Sequence, residues 1–333
     1  MTELTRRRLL LGGAAASAVG TLASFRSSPV SAGAPAVGKQ APGFYRYKIG
    51  DIEVTVVTDG VIRSKLLDNF VTNVTTEAVK AALAAAHLDR DIFSNTFTPI
   101  VVNTSGKLVL IDTGIGEAGF KQTNGTAGQF MTNLAAAGMK ADDIDVVIVS
   151  HYHGDHMNGL LKADNTLTFP NAEILVPAAE HNYWMDDGEM SRAPKGRIEG
   201  LFQNNRRVFS GEVLKHLRSY EWNQEVVPGI TAIGTPGHTP GHCSHVISSG
   251  TSKVYVQADV THVPYLFVRN PGWHAFYDQN PVMAEATRRK VYDMLSAENM
   301  VVQGFHYPFP AHAYIEKTAT GYREIPVNWS ATL

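Results

Sequence analysis

Ser150-His151-Tyr152-His153-Gly154-Asp155-His156 follows directly on the apolar run Val146–Val149. Four side chains able to bind a metal therefore stand within six positions, at the end of a segment whose β-branched content predicts a strand. Histidine makes up 13 of 333 residues, so three of them in one hexapeptide stand far above background composition. The bland alternative is a solvated His-rich turn. The preceding strand argues against it, because a strand end holds such residues on a rim where one turn aims them inward.

The mixture of types has a chemical reason. Neutral imidazole nitrogen and carboxylate oxygen suit zinc and other borderline first-row cations. A catalytic site keeps a coordination position open for water, so three histidines and one aspartate are too few for two metals. Further candidates come later in the chain: His238 within Gly234-Thr235-Pro236-Gly237-His238-Thr239-Pro240-Gly241-His242, Asp259 after the predicted strand Lys253–Gln257, and His306 after Met300–Val302. Each lies at or just beyond a strand end, so all can converge on one rim.

Other strands are predicted at Ile52–Thr58, Phe97–Val102, Lys107–Asp112, Asp145–Ser150 and Glu173–Val176. One helix is expected through Ala78–Ala86. Another should start at Asn280-Pro281, an N-cap followed by proline at the first helical position, with Met283, Thr287, Val291 and Met294 on one face. Interleaved strands and helices with no Pro/Ser/Gly-rich linker predict one layered α/β domain. A formal charge of -2 and a pI near 6.7 give no electrostatic footprint for nucleic acid. Cys243 is the only cysteine, so no internal disulfide is possible, and its expected place is the core.

The first residues read separately. Thr5-Arg6-Arg7-Arg8-Leu9-Leu10-Leu11 is a basic head leading into a Gly/Ala-rich apolar stretch, and small residues around Ala32-Gly33-Ala34 fit a cleavage site. The run is too short and too rich in Gly and Ala for a membrane anchor. Residues 1–34 are expected to be a cleaved twin-arginine-like export signal, which places the mature protein in the periplasm or outside the cell without a stable membrane anchor.

The series HxHxDH, TPGHTPGH, Asp after a strand and a late His resembles the ligand set of the metallo-β-lactamase superfamily, and Leu110-Ile111-Asp112-Thr113-Gly114 is similar to a further motif of it. The resemblance implies an αββα four-layer sandwich over residues 41–330 and two divalent metal ions, Zn2+ by expectation. His151, His153 and His238 would hold one metal, and Asp155, His156 and His306 the other. Asp259 would bridge them beside a bridging hydroxide that attacks the substrate. Asp155 and Asp259 are thus also the candidate catalytic carboxylates. Ala41-Pro42-Gly43-Phe44-Tyr45-Arg46, His306-Tyr307-Pro308-Phe309-Pro310 and Gly321-Tyr322-Arg323 are similar to the methyl parathion hydrolase branch, although Tyr152 and Gly154 depart from it. That likeness implies a homodimer.

The expected reaction is hydrolysis of a small neutral hydrophobic ester-type substrate: an organophosphate triester, an aryl ester or a lactone. An acyl-homoserine or aromatic lactonase is the alternative native activity, and an iron-containing oxidoreductase of the same fold the alternative from another class. Acyl-homoserine lactonases usually carry Tyr three positions after the bridging Asp, where this chain has His262. The expected pocket wall is Phe120, Trp184, Phe202, His262, Phe267 and Trp273, the last within the aromatic segment Trp273-His274-Ala275-Phe276-Tyr277. His242 and His245 are expected to support ligands or pack, and Arg206-Arg207 to lie on a solvated helix face.

Overall fold

A computed structural model describes residue 38 and residues 40–333, so the expected export signal lies outside the described residues. Residues 42–333 form one compact unit. Its first sheet has the spatial order Phe44–Ile49, Ile52–Val57, Ile100–Thr104, Lys107–Ile111, Val146–Ile148, Glu173–Pro177, Leu217–Tyr220. The last four of these strands run parallel. The second sheet has the order Glu225–Val227, Ile230–Gly234, Cys243–Ser249, Ser252–Ala258, Val301–Gly304, His312–Lys317, Tyr322–Pro326.

Strand periodicity sorts the side chains into layers. Val102, Val109, Ile111, Ile148 and Leu175 face Ile230, Ala232, Ile247, Val254 and Val256 across the gap between the sheets. Their sequence neighbours Val101, Leu110, Val147 and Ile174 point the other way, against Phe130, Leu134, Trp184 and Phe202 from helices. On the outer face of the second sheet, Tyr255 and Val302 meet Val291, Tyr292 and Leu295 of the helix Pro281–Glu298. Apolar faces on both sides of both sheets require helices outside each, which gives the expected αββα sandwich.

Two details differ from the sequence reading. The run Phe97–Val102 is not one strand: Ile92–Phe97 pairs with Gly60–Lys65 in a separate hairpin, and Ile100–Thr104 joins the first sheet. Pro99 stands between them, without an N–H for either ladder. The helix Pro281–Glu298 is capped as predicted, the Asn280 side chain accepting from Met283 N–H at 3.0 Å. Its buried face, however, is Ala284, Arg288, Val291, Tyr292 and Leu295, and Met283 is exposed. Arg288 sits in the core because its guanidinium donates to the carbonyls of Val260, Pro271 and Trp273. Cys243 is fully buried between the sheets. Among the described residues no helix is long and apolar enough to cross a membrane.

Candidate metal centre

The candidate ligands emerge at strand ends, as their spacing predicts. Beyond Val146–Ile148 come His151 and His153, and the short helix Gly154–Met157 then carries Asp155 and His156. His238 follows Ile230–Gly234 in a loop whose Gly237 has φ 132°. A Cβ there would fall 2.3 Å from the backbone nitrogen of Ala284, so only glycine lets this loop rest on the start of the long helix. Asp259 follows Ala258, where φ is 47° and the parallel register with Val301–Gly304 slips, and His306 lies just past that partner strand.

Side-chain donors converge in two groups joined by Asp259. In the first, His153 Nδ1 lies 3.2 Å from His151 Nε2 and 2.8 Å from His238 Nε2, and Asp259 Oδ2 is 3.2 Å from His238 Nε2. In the second, His306 Nε2 is 3.5 Å from Asp155 Oδ2, and His156 Nε2 is 3.7 Å from the same oxygen and 3.2 Å from Asp259 Oδ1. Tetrahedral zinc with bonds of about 2.05 Å sets its ligand atoms about 3.3 Å apart, the spacing seen here.

The outer nitrogens fix the tautomers. His238 Nδ1 pairs with Asp278 Oδ1, His156 Nδ1 with Asp112 Oδ2 and His306 Nδ1 with the Thr96 carbonyl, each at 2.8 Å. These partners only accept, so each Nδ1 donates and Nε2 is the nitrogen turned towards the metal position. The Ser150 hydroxyl and backbone N–H both donate to Asp112 at 2.8 Å, which locks that carboxylate in place.

Electrostatics make the same demand. Burial holds His151, His153 and His238 well below the ordinary histidine range, so all are neutral. Burial also opposes charge on His156, but Asp259, Asp112 and Asp155 outweigh it and push the imidazole well up. Burial would raise Asp259, yet His306, His156 and His262 keep its carboxyl well below the usual range. His156 Nε2 and Asp259 Oδ1 are buried, face each other and have no hydrogen-bond partner. Without a cation, a proton on His156 is what balances Asp259 at that distance, and a metal would take that proton's place, so the donor set fits a dinuclear metal site.

Residues 98–302 match the family model of the metallo-β-lactamase superfamily, a span that includes every converging ligand except His306. The chain belongs to the metallo-β-lactamase superfamily. It is 27% identical to an N-acyl homoserine lactonase of Bacillus cereus over 191 residues, 50% of this chain and 67% of the relative. A Bacillus thuringiensis N-acyl homoserine lactonase is 25% identical over 212 residues, 58% of this chain and 74% of the relative. Among solved structures, AidC, a dizinc quorum-quenching lactonase, superposes with a TM-score of 0.80 at 27% identity over 86% of this chain and 98% of its own. The hydrolase AbOPH gives 0.80 at 24% identity, covering 88% of this chain and 100% of its own, which is a likeness of fold. The superfamily member described here is a metal-dependent hydrolase with a cluster suited to two metal ions.

The cluster opens into a cavity of about 320 Å3 lined by Ile62, Phe97, Ile115, Leu201, Phe276 and Tyr277 around His153, Asp155, His238, Asp259 and His306, with Asn95, Gly154, Arg197 and His262 completing the wall. Of the six expected wall residues, only His262 lines this cavity. Trp184 and Phe202 are fully buried against each other beneath the first sheet, with ring centroids 4.7 Å apart. Trp184 is held there because its indole N–H donates to Glu180. Phe120 lines a different cavity, of about 380 Å3, with Phe130 and Met131. Phe267 and Trp273 pack in an apolar cluster with Phe70, Val71 and Leu83, beside the pocket and not on its surface.

Other histidines support or pack. His242 Nε2 accepts the Asp259 N–H at 2.9 Å, and His245 Nε2 pairs with the Tyr220 hydroxyl at 3.0 Å in the core. Arg206 and Arg207 lie on the helix Arg197–Val208, bonded to Asp187, Asn165 and Asn204. Sequence reasoning missed Asp278 and Glu180, which lie outside any motif, and Arg197.

Proposed function

We propose that this protein is a dizinc lactonase that opens the ring ester of N-acyl homoserine lactones. The observation carrying the proposal is His262, whose Nε2 lies 2.9 Å from Asp259 Oδ2 on the wall of an otherwise largely apolar pocket. Acyl-homoserine lactonases usually carry a tyrosine at that position, so His262 would stand in for its hydroxyl as a donor; the reading is further supported by the likeness to N-acyl homoserine lactonases in sequence and to a dizinc lactonase in structure.

His151, His153 and His238 would hold one zinc, Asp155, His156 and His306 the other, with Asp259 shared. Bound there, the two cations supply a water deprotonated near neutral pH and polarise the oxygen of the bond under attack. Asp155 is the least buried of the carboxylates, with 23% of its side chain exposed, and it faces the cavity, so it orients the water and accepts its proton. Burial keeps His262 below the ordinary histidine range and thus neutral, and with its proton on Nε2, 2.9 Å from Asp259 Oδ2, the ring is a donor at the metal edge of the cavity. A substrate oxygen seated beside Asp259 meets the same donor, so His262 stabilises the carbonyl or leaving oxygen as charge develops on it. Ile62, Phe97, Ile115, Leu201 and Phe276 exclude water and hold the acyl part.

A second reading is hydrolysis of aryl esters or phosphotriesters, supported by the likeness of residues 41–46 and 306–310 to methyl parathion hydrolase and by the neutral aromatic lining. Export by the twin-arginine route and a homodimeric state belong to the proposal as well, resting on residues 5–34 and on that likeness. The deciding experiment is turnover of an acyl-homoserine lactone, an aromatic lactone, a p-nitrophenyl ester and methyl paraoxon by zinc-loaded protein, with Asp259→Ala as control. Highest kcat/KM on the acyl-homoserine lactone supports the lactonase reading. Dominant triester turnover overturns it.

A further inference from the structure

Arg197 begins the helix Arg197–Val208 directly after Gly196, whose φ is 91°. Among the described residues it is the one lysine or arginine on the cavity wall. Its guanidinium carbon lies 5.6 Å from the centre of the Phe276 ring, and one nitrogen donates to the Tyr277 carbonyl at 3.3 Å. Among the described residues it makes no other hydrogen bond and no ion pair, and the rest of its exposed guanidinium faces the solvent-filled mouth of the cavity. A guanidinium carries five N–H donors in a fixed fork, so most of the fork is unused.

The surrounding wall explains why this matters. Phe276, Leu201 and Ile115 offer no acceptor, and the metal-facing carboxylates are committed to the cluster. A cation placed over an aromatic face at the mouth of such a pocket is positioned for an acceptor brought by the ligand. The scissile carbonyl belongs beside Asp259 and His262, so the acceptor for Arg197 is a second one.

We propose that Arg197 is a specificity-determining residue, donating to the amide carbonyl next to the scissile lactone, so that the enzyme selects acylamino lactones over lactones lacking an amide. This rests on the lactonase reading. The rival role is purely mechanical, Arg197 tethering the start of its helix to the Tyr277 segment.

The test compares N-hexanoyl-homoserine lactone with γ-decalactone, which has no amide, for wild type, Arg197→Gln and Arg197→Lys in zinc-loaded form. Loss of a charged hydrogen bond is expected to lower the kcat/KM ratio between the two substrates roughly tenfold in Arg197→Gln, mainly through a higher KM for the amide substrate. Arg197→Lys should recover part of that ratio. Equal loss on both substrates, or an unchanged ratio, overturns the inference and leaves the tether. Failure of wild type to hydrolyse either lactone overturns the lactonase reading itself, and the inference with it.

Discussion

Glu180 accepts the backbone N–H of Tyr152 at 2.9 Å through one carboxylate oxygen, and through the other it accepts the backbone N–H of Gly241 at 2.8 Å. Tyr152 lies between His151 and His153, and Gly241 follows His238 by three positions. One fully buried side chain on the helix Ala178–Met185 therefore fastens together the two loops that carry the three histidines of the first candidate metal group. Trp184 Nε1 and the Thr239 hydroxyl donate to the same carboxylate, at 2.8 Å each.

All four partners are donors, so the site needs a group that only accepts. Glu180→Gln turns one oxygen into an NH2 facing either the Tyr152 or the Gly241 N–H, and Glu180→Ala strands all four donors. Each buried donor left unpaired costs about 1–3 kcal/mol, so the alanine variant should be the less stable and the glutamine variant intermediate. Zinc affinity, measured by chelator competition on folded protein, should fall in the same order. Unchanged affinity in both variants would show that the loops hold their geometry without Glu180.

His262 stacks parallel to His306, with ring centroids 4.8 Å apart and planes 11° apart, and touches Tyr277 at 4.0 Å. His262→Phe keeps the ring but removes the donor beside Asp259. Loss of one preorganised donor to a developing oxyanion costs about 10²–10³ in kcat. The expected outcome is a fall of that order with two equivalents of zinc still bound. Loss of a zinc equivalent would instead identify His262 as a ligand, since it also lies within reach of Asp259 and His306.

The fold and the convergence of the candidate ligands were legible because both follow from position along strands. His151, His238, Asp259 and His306 sit at strand ends, and alternation along Val101-Val102 and Leu110-Ile111 separates the two faces of the sheet. The pocket wall was not legible. Trp184 and Phe202 are chemically as suited to a pocket as Phe276, and only packing decides that the first two lie beneath the sheet. Arg288 misled the reading of its helix for a related reason: a buried arginine satisfied by three carbonyls breaks the apolar pattern from which a helix face is read. Asp278 carries no sequence signal at all, because its partners His238 and Arg288 are 40 and 10 residues away.

Metal should stabilise the fold as well as activate water. Asp259 is buried with its Oδ1 unpaired, and Asp155 brings a second carboxylate to the same cluster. Ions that bind only the native state add about 3 kcal/mol at a hundredfold excess over Kd. Chelation at neutral pH should therefore lower Tm by several degrees, and zinc should restore both Tm and activity. A Tm indifferent to chelator, with zinc loss verified by elemental analysis, would show that the cluster is preorganised without metal.

Acid should destabilise the protein through a histidine far from catalysis. Burial between the sheets pushes His245 down to about 4, with Asp112 only partly offsetting it. Its Nε2 pairs with the Tyr220 hydroxyl and its buried Nδ1 has no partner, so a second ring proton would be stranded and the neutral ring is the form that fits. An unfolded histidine takes up its proton near pH 6.5, above the pH at which the folded one does. Stability from this group is therefore fully present above about pH 6.5 and is lost as pH falls towards 4. Between pH 7 and pH 5 the loss is roughly 2 kcal/mol. His245→Leu removes the titration at the cost of stranding the Tyr220 hydroxyl, so the variant should be weaker at pH 7 yet lose less on acidification. Urea midpoints at both pH values measure this directly. The ligand histidines are common to both proteins, so their own titration cancels in the difference. An identical pH slope in the two would mean that His245 is protonated in the folded core or that acid unfolding is governed elsewhere.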